Sequence, residues 1–223
     1  MHQRKGKKIL IYFFLLILFG SINNISFNSL KYKGIENINV KGLKDYDNEN
    51  LSQLIENLNL ENIYLLNKKE IIDLVSSNSL VEKYDIYKRY PSSLDVNIKK
   101  TKFLARINNN DKTFLIGSNG KLSDNNFLNN ELPFIFGKPK IDDFLNFKEI
   151  IDQSNFSYNE IKNLYFFSSN RWDLELKNNI LIRLPENLDK DTLQFILDFL
   201  NNNKFKDIKI VDARVENQII IND

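Results

Sequence analysis

The chain has no cysteine, one histidine and one tryptophan in 223 residues. Without cysteine there is no disulfide, no thiolate zinc site and no thiol nucleophile. The lone histidine is His2, at the very start of the sequence, which argues against a Ser-His-Asp triad and against a multi-histidine metal site. Glycine is scarce, at seven residues, and neither a Walker loop nor a dinucleotide-binding glycine fingerprint is present. No cofactor is expected. The formal net charge is only +2, too little for a chain that lives on phosphate backbones, so nucleic acid is not expected as a partner.

What is present describes a folded protein. Hydrophobic residues make up 42% and charged residues 27%, values that exclude wholesale disorder and suit one large or two small domains. The charge is unevenly placed. Arg4, Lys5, Lys7 and Lys8 lie before residue 9, and no acid precedes Glu36. The basic cluster runs directly into the apolar stretch Ile9–Phe19. Such a start is shared by a cleavable signal peptide and by a short membrane anchor with positive charge held inside. Ser21-Ile22-Asn23 and Ser26-Phe27-Asn28 match a small-x-small cleavage pattern poorly. An uncleaved anchor is therefore expected at residues 9–27, after a cytoplasmic tail at 1–8. On this reading the chain beyond about residue 28 is exported.

The exported part divides by texture. Ile35–Gly42 alternates apolar and polar residues and stops at glycine, which predicts a strand. Leu51, Leu54, Ile55 and Leu58 predict a helix over 48–60, capped by Asp47 or Asn48. Ile71, Ile72 and Val75 predict a second over 68–76, with Asn67 as cap. Val81–Arg89 and Leu94–Lys100 read as a hairpin around Tyr90-Pro91-Ser92-Ser93. After residue 102 strands dominate: Phe103–Asn108, Thr113–Ile116, Ile161–Ser168, Trp172–Leu176 and Ile180–Leu184. Two helices interrupt them, Asp142–Gln153 and Asp189–Asn201, and the chain closes on strands at Asp207–Arg214 and Val215–Ile221. The expectation is an α+β protein: a small β-α-α-β-β domain at 34–102, then a separate α+β domain at 103–223 with a mostly antiparallel sheet.

This order of parts resembles the FtsQ/DivIB family of bacterial cell-division proteins, and the small module resembles a POTRA domain. Ile38-Asn39-Val40-Lys41-Gly42 is similar to the module's opening strand, Asn62–Leu66 to the segment between its helices, and Val81–Val96 to its hairpin. Gly117–Gly120, Leu132–Gly137, Trp172–Leu176 with Ile180–Pro185, and Asp212-Ala213-Arg214 are similar to elements of the family's second domain. Lys100 and Phe103 depart from the Glu and Pro often found at the family's interdomain junction.

The resemblance implies a non-enzymatic scaffold of the divisome, placed in the inner membrane at the septum with its C-terminal domains in the periplasm. It implies FtsB, in complex with FtsL, as partner at the edge of the C-terminal sheet, and other divisome proteins at the POTRA-like domain. Here that edge maps to Arg214, Val215, Glu216, Asn217, Gln218, Ile219, Ile220 and Ile221. An unpaired edge strand offers N–H and C=O groups that a partner strand can satisfy. The same three isoleucines are equally suited to packing within their own sheet. Proline at Gln218 or Ile220 is expected to weaken recruitment if the lost N–H faces the partner.

Other clusters read as structural. Asp142 and Asp143 open a helix, where the dipole favours carboxylates. Asp207, Asp212 and Arg214 suit an ion pair or turn, Lys99–Lys102 a solvated face or interdomain contact, and Trp172 a core. Two other classes stay open: a POTRA-bearing export or outer-membrane assembly factor, and an envelope enzyme.

Overall fold

The computed structural model describes residues 3–22, 34–58, 60, 63–64, 66–124, 131–201 and 208–222. Helix α1 spans Gln3–Ile22. It begins inside the basic tail, so Arg4, Lys5, Lys7 and Lys8 share the helix with the apolar run, whose side chains from Ile9 to Phe19 are exposed. No helix among the described residues is long and apolar enough to cross a membrane. Residues 23–27 of the expected anchor lie outside the described residues.

The first sheet has three strands in the order β1-β3-β2, formed by β1 (Asn37–Lys41), β2 (Val81–Arg89) and β3 (Ser93–Lys100). β1 runs parallel to β3, and β2 antiparallel to it. Between β1 and β2 come α2 (Asp45–Glu56) and α3 (Lys69–Ser77). Leu51 and Ile55 of α2 and Ile71 and Val75 of α3 bury against Val40, Val81, Leu94 and Val96 of the sheet. The helical spacing seen in the sequence is therefore the core-facing stripe.

Both helix starts sit slightly off the expected place. Asn48 is inside α2, not its cap; its side chain reaches back to bond both the N–H and the C=O of Leu43, at 3.0 and 3.1 Å. Asp45 and Asp47 occupy the first turn instead, where negative charge meets the helix dipole. Asn67 stands one residue before the cap of α3, and its Oδ1 accepts from Lys69 N at 3.1 Å. Gly42 follows β1 at φ +113°, and a Cβ there would lie 1.8 Å from the Ile98 carbonyl oxygen. Only glycine fits this close approach. The Tyr90-Pro91 peptide in the hairpin turn is cis.

The second sheet has nine strands in the order β12-β11-β10-β9-β8-β7-β4-β5-β6. They are β4 (Phe103–Asn109), β5 (Lys112–Gly117), β6 (Leu122–Asp124), β7 (Phe134–Phe136), β8 (Ile161–Phe166), β9 (Trp172–Leu176), β10 (Leu181–Arg183), β11 (Ile210–Asp212) and β12 (Ile220–Asn222). Three of the pairings are parallel, those of β7 with β4, of β7 with β8, and of β10 with β11; the others are antiparallel. Helices α4 (Ile141–Gln153) and α5 (Lys190–Leu200) cover one face. Asp142 and Asp143 do open α4, and Asp189 caps α5 by accepting from Thr192 N at 2.7 Å.

Register sorts the side chains into rows. Ile107, Ile135, Leu164, Leu174, Ile182, Val211 and Ile221 are cross-strand neighbours in succession. The first six are buried and meet Phe144, Phe147 and Ile151 of α4 and Leu193 and Ile196 of α5. Trp172 is core, 6% exposed, with its ring stacked on Phe147 at 4.7 Å. Asparagine also acquires a local role. Every non-glycine residue with positive φ among those described is Asn or Asp, at 110, 111, 170, 179 and 217, the residue types that tolerate the left-handed region best.

Candidate partner-binding edge

β12 is the outermost strand of the large sheet, and among the described residues none lies beyond it. It is shorter than the sequence suggests. The expected strand Val215–Ile221 is a turn over its first part: Gln218 N donates to Val215 O at 3.2 Å, and Asn217 is left-handed at φ 56°. Val215, Glu216, Asn217 and Gln218 therefore leave the ladder, and only Ile220–Asn222 pairs with β11. The left-handed asparagine is what breaks the strand, by reversing the chain so that β12 can run antiparallel to β11.

The direction of the backbone groups on β12 follows from β11. Leu181 N donates to Lys209 O at 2.8 Å, and Ala213 N donates to Arg183 O at 2.9 Å. Backbone groups of successive strand residues point to opposite sides. Val211 therefore turns its N–H and C=O toward β10, and Ile210 and Asp212 turn theirs toward β12. Asp212 is the register partner of Ile220. Ile220 consequently spends its N–H and C=O on β11, while those of Ile221 face outward. Side chains alternate the other way: Ile221 continues the core row, whereas Ile220 is 57% exposed on the open face. Ile219 packs against the core cluster. The three isoleucines thus divide their roles.

The open face continues from Ile220 as a row of three charged residues followed by two aromatics. Ile220, Asp212, Arg183, Asp173, Tyr165 and Phe136 are successive cross-strand neighbours. Arg214 Nε donates to Asp212 Oδ1 at 2.8 Å and Oδ2 at 3.0 Å, and Arg183 Nη1 lies 3.6 Å from Asp212 Oδ2. The Arg214 hydrogen bonds, against an opposing effect of burial, hold the Asp212 carboxyl below its ordinary range. Asp173 is 4% exposed, and burial raises its carboxyl despite the neighbouring Arg171 guanidinium. The Asp212-Ala213-Arg214 signature is therefore an ion pair on the sheet face that fixes the residues leading into the turn. Asp207 lies outside the described residues.

Two hollows border this face. One, of about 680 Å³, lies between the N-terminal end of α5 and the 213–218 turn, lined by residues including Pro185, Glu186, Phe195 and Val215. The other, of about 460 Å³, is floored by Phe134 and Phe136, with Arg106 above Phe134 at 5.7 Å. Beside it Glu175 accepts from Asn163, Tyr165 and Lys162 at 2.9, 2.7 and 3.0 Å. Those bonds pull the Glu175 carboxyl down to about 2. Burial, with the bond to Glu175, pushes the Tyr165 phenol up to about 12. Among the described residues no group of acids and histidine could hold a metal ion.

The sequence reading named the edge but not its polarity. Ile219-Ile220-Ile221 has no alternation from which a face could be assigned; the only usable signal was Asn217, a residue type that favours turns.

A three-stranded sheet packed on two helices, followed by a nine-stranded mixed sheet, defines an α+β protein with two sheets. Residues 33–100 match the POTRA domain, FtsQ-type. Residues 105–214 match the C-terminal domain of the cell division protein FtsQ/DivIB. The chain belongs to the FtsQ/DivIB family of cell-division proteins. It is 29% identical over 120 residues to the cell division protein DivIB of Clostridium botulinum, covering 54% of this chain and 46% of that one. It is 23% identical over 198 residues to the cell division protein FtsQ of Rickettsia bellii, covering 84% of this chain and 71% of that one. The match thus spans about half the length of the Clostridium relative. A solved structure of the major extracytoplasmic domain of DivIB from Geobacillus stearothermophilus aligns over 48% of this chain and 98% of its own, at 10% identity and a TM-score of 0.35.

Proposed function

We propose that this chain is a non-enzymatic scaffold of the bacterial divisome, which recruits and links division proteins at the septum. One observation carries the reading: the outer edge of β12 presents the N–H and C=O of Ile221 with no further strand beside them among the described residues. Strand addition supplies such groups with partners. FtsB, in complex with FtsL, is the proposed occupant. Ile220 and the 215–218 turn supply the apolar and polar side-chain contacts, and Arg214, held on Asp212, sets the register. Other divisome proteins, and through them the septal peptidoglycan synthesis machinery, are proposed to dock on the 34–102 module, with residues 103–223 as the second domain.

The chain is proposed to be held in the inner membrane by residues 9–27, with its N-terminus cytoplasmic and the rest periplasmic. The tetrabasic start beside Ile9–Phe19 supports this orientation. α1 alone is short of the roughly 20 apolar residues a span requires, so residues 23–27 are required to complete it.

Capture of FtsB by the full chain in lipid nanodiscs tests the reading, alongside a reporter fused after Asp223. Retention of FtsB with an externally exposed reporter is expected. Recovery of outer-membrane assembly subunits in place of division proteins would favour an export factor instead.

A further inference from the structure

The two sheets meet at the turn Gly117-Ser118-Asn119-Gly120, which leaves β5 and presses into the corner where α3 hands over to β2. Asn119 uses its whole side chain there. Its Nδ2 donates to Ser79 O at 2.9 Å and to Val81 O at 2.8 Å, while its Oδ1 accepts from Lys121 N at 3.1 Å. Ser118 Oγ donates to Glu82 Oε2 at 2.5 Å and accepts from Lys102 N at 3.1 Å. Lys121 Nζ donates to Ser76 O, and lies 3.4 Å from Asn78 O, at the C-terminal end of α3. A cation there complements the helix dipole. The connecting residues are held in the same network. Thr101 is 4% exposed, its N donates to Leu80 O at 2.9 Å, and its hydroxyl meets Ser118 Oγ at 3.2 Å. Ser118 N donates to Lys102 O at 2.7 Å.

Gly117 shows how close the fit is. A Cβ at this position would stand 2.5 Å from Asn119 Oδ1 and 2.8 Å from Thr101 Oγ1. The turn is shaped for this contact, and the contact reaches backbone carbonyls of the first module rather than mobile side-chain ends.

We infer that the 117–120 turn is an interdomain lock, which makes the POTRA-type module and the nine-stranded sheet one rigid body. A free two-residue connection at Thr101-Lys102 would let the modules swivel; these bonds forbid it. If the scaffold reading holds, partners bound at the two modules are held at one fixed separation and angle, but the lock does not depend on that reading.

The lack of cysteine makes the test direct, because introduced cysteines are the only labelling sites. Spin labels at Glu56→Cys and Lys177→Cys, both exposed positions, report the intermodule distance in the full chain in nanodiscs. One narrow distance distribution is expected. Asn119→Ala combined with Ser118→Ala should broaden it at least about twofold. Tryptic cleavage after Lys102 should accelerate about tenfold, since cleavage tracks the open population and at least two bonds are lost. Lys121→Met, which leaves the turn intact, should give a smaller broadening in the same direction. A broad distribution in the unmodified chain overturns the inference. So does an unchanged width and cleavage rate in the double variant. Circular dichroism melts of every variant establish that both modules stay folded, and Lys121→Met carries the test if the double variant does not.

Discussion

Proline at Ile221 and proline at Ile220 should have opposite consequences, although the residues are adjacent and alike. Ile220 pairs with Asp212 through its backbone, so Ile220→Pro removes a ladder N–H and leaves the Asp212 carbonyl without its donor. An unmet acceptor costs about 1–3 kcal/mol. For a chain of this size that lowers Tm by about 2–12 °C. Ile221→Pro removes an N–H that no strand among the described residues uses, at an edge position where proline is tolerated. Its cost to the fold is confined to side-chain packing at the end of the core row, about 1 kcal/mol for the trimmed apolar carbon. Binding should respond the other way. The outward N–H is the one a partner strand needs, and the ring carbons stand where the partner's carbonyl would approach. Loss of that bond alone is about 0.5–1.5 kcal/mol, or about 2- to 13-fold in Kd. The assay is FtsB binding to the full chain in nanodiscs, measured with the thermal melt of each variant. Unchanged affinity in Ile221→Pro, with the fold intact, would refute the assignment of the outward groups. Gln218→Pro, an expected disruptor from the sequence, should instead loosen the 215–218 turn, because Gln218 N bonds within it.

Trp172→Ala should destabilise the large sheet by about 3–5 kcal/mol in urea titration, since it empties the space beneath Phe147 and Phe166. Asp189→Ala should cost about 1 kcal/mol through loss of the α5 cap, and Asp189→Asn should restore most of it. The pair Glu175 and Tyr165 should shape both ends of the pH profile. Glu175 lies below its unfolded value of 4.5, at about 2, so its contribution is present above about pH 4.5 and is lost as pH falls toward 2. Tyr165 lies above its unfolded value of 10.0, at about 12, so its contribution is present below about pH 10 and is lost as pH rises toward 12. Urea midpoints across pH in Glu175→Gln should show a flatter acid limb than the unmodified chain; an identical limb would discard the assignment.

Much of this architecture is local chemistry and was readable in order along the chain. Leu51, Ile55, Ile71 and Val75 recur at helical spacing because a helix brings every third or fourth residue to one face. Pro91 marks the hairpin between β2 and β3, Asp189 marks the start of α5, and Trp172 opens the strand that holds it in the core. Period and capping are properties of neighbours, and neighbours are written in sequence. The strand order was not. Residues 39 positions apart, such as Asn163 in β8 and Asp124 in β6, are separated in the sheet by β7, β4 and β5, and no local pattern encodes that. Register decides the rest: it places Ile221 in the core row, sends Ile220 to the open face, and leaves one outward N–H in a run of three isoleucines that sequence cannot tell apart. The joint was hidden for the same reason. Gly117–Gly120 reads as one more turn, and only its meeting with Ser79 and Val81, some forty residues earlier in the chain, turns a local bend into a link between two modules.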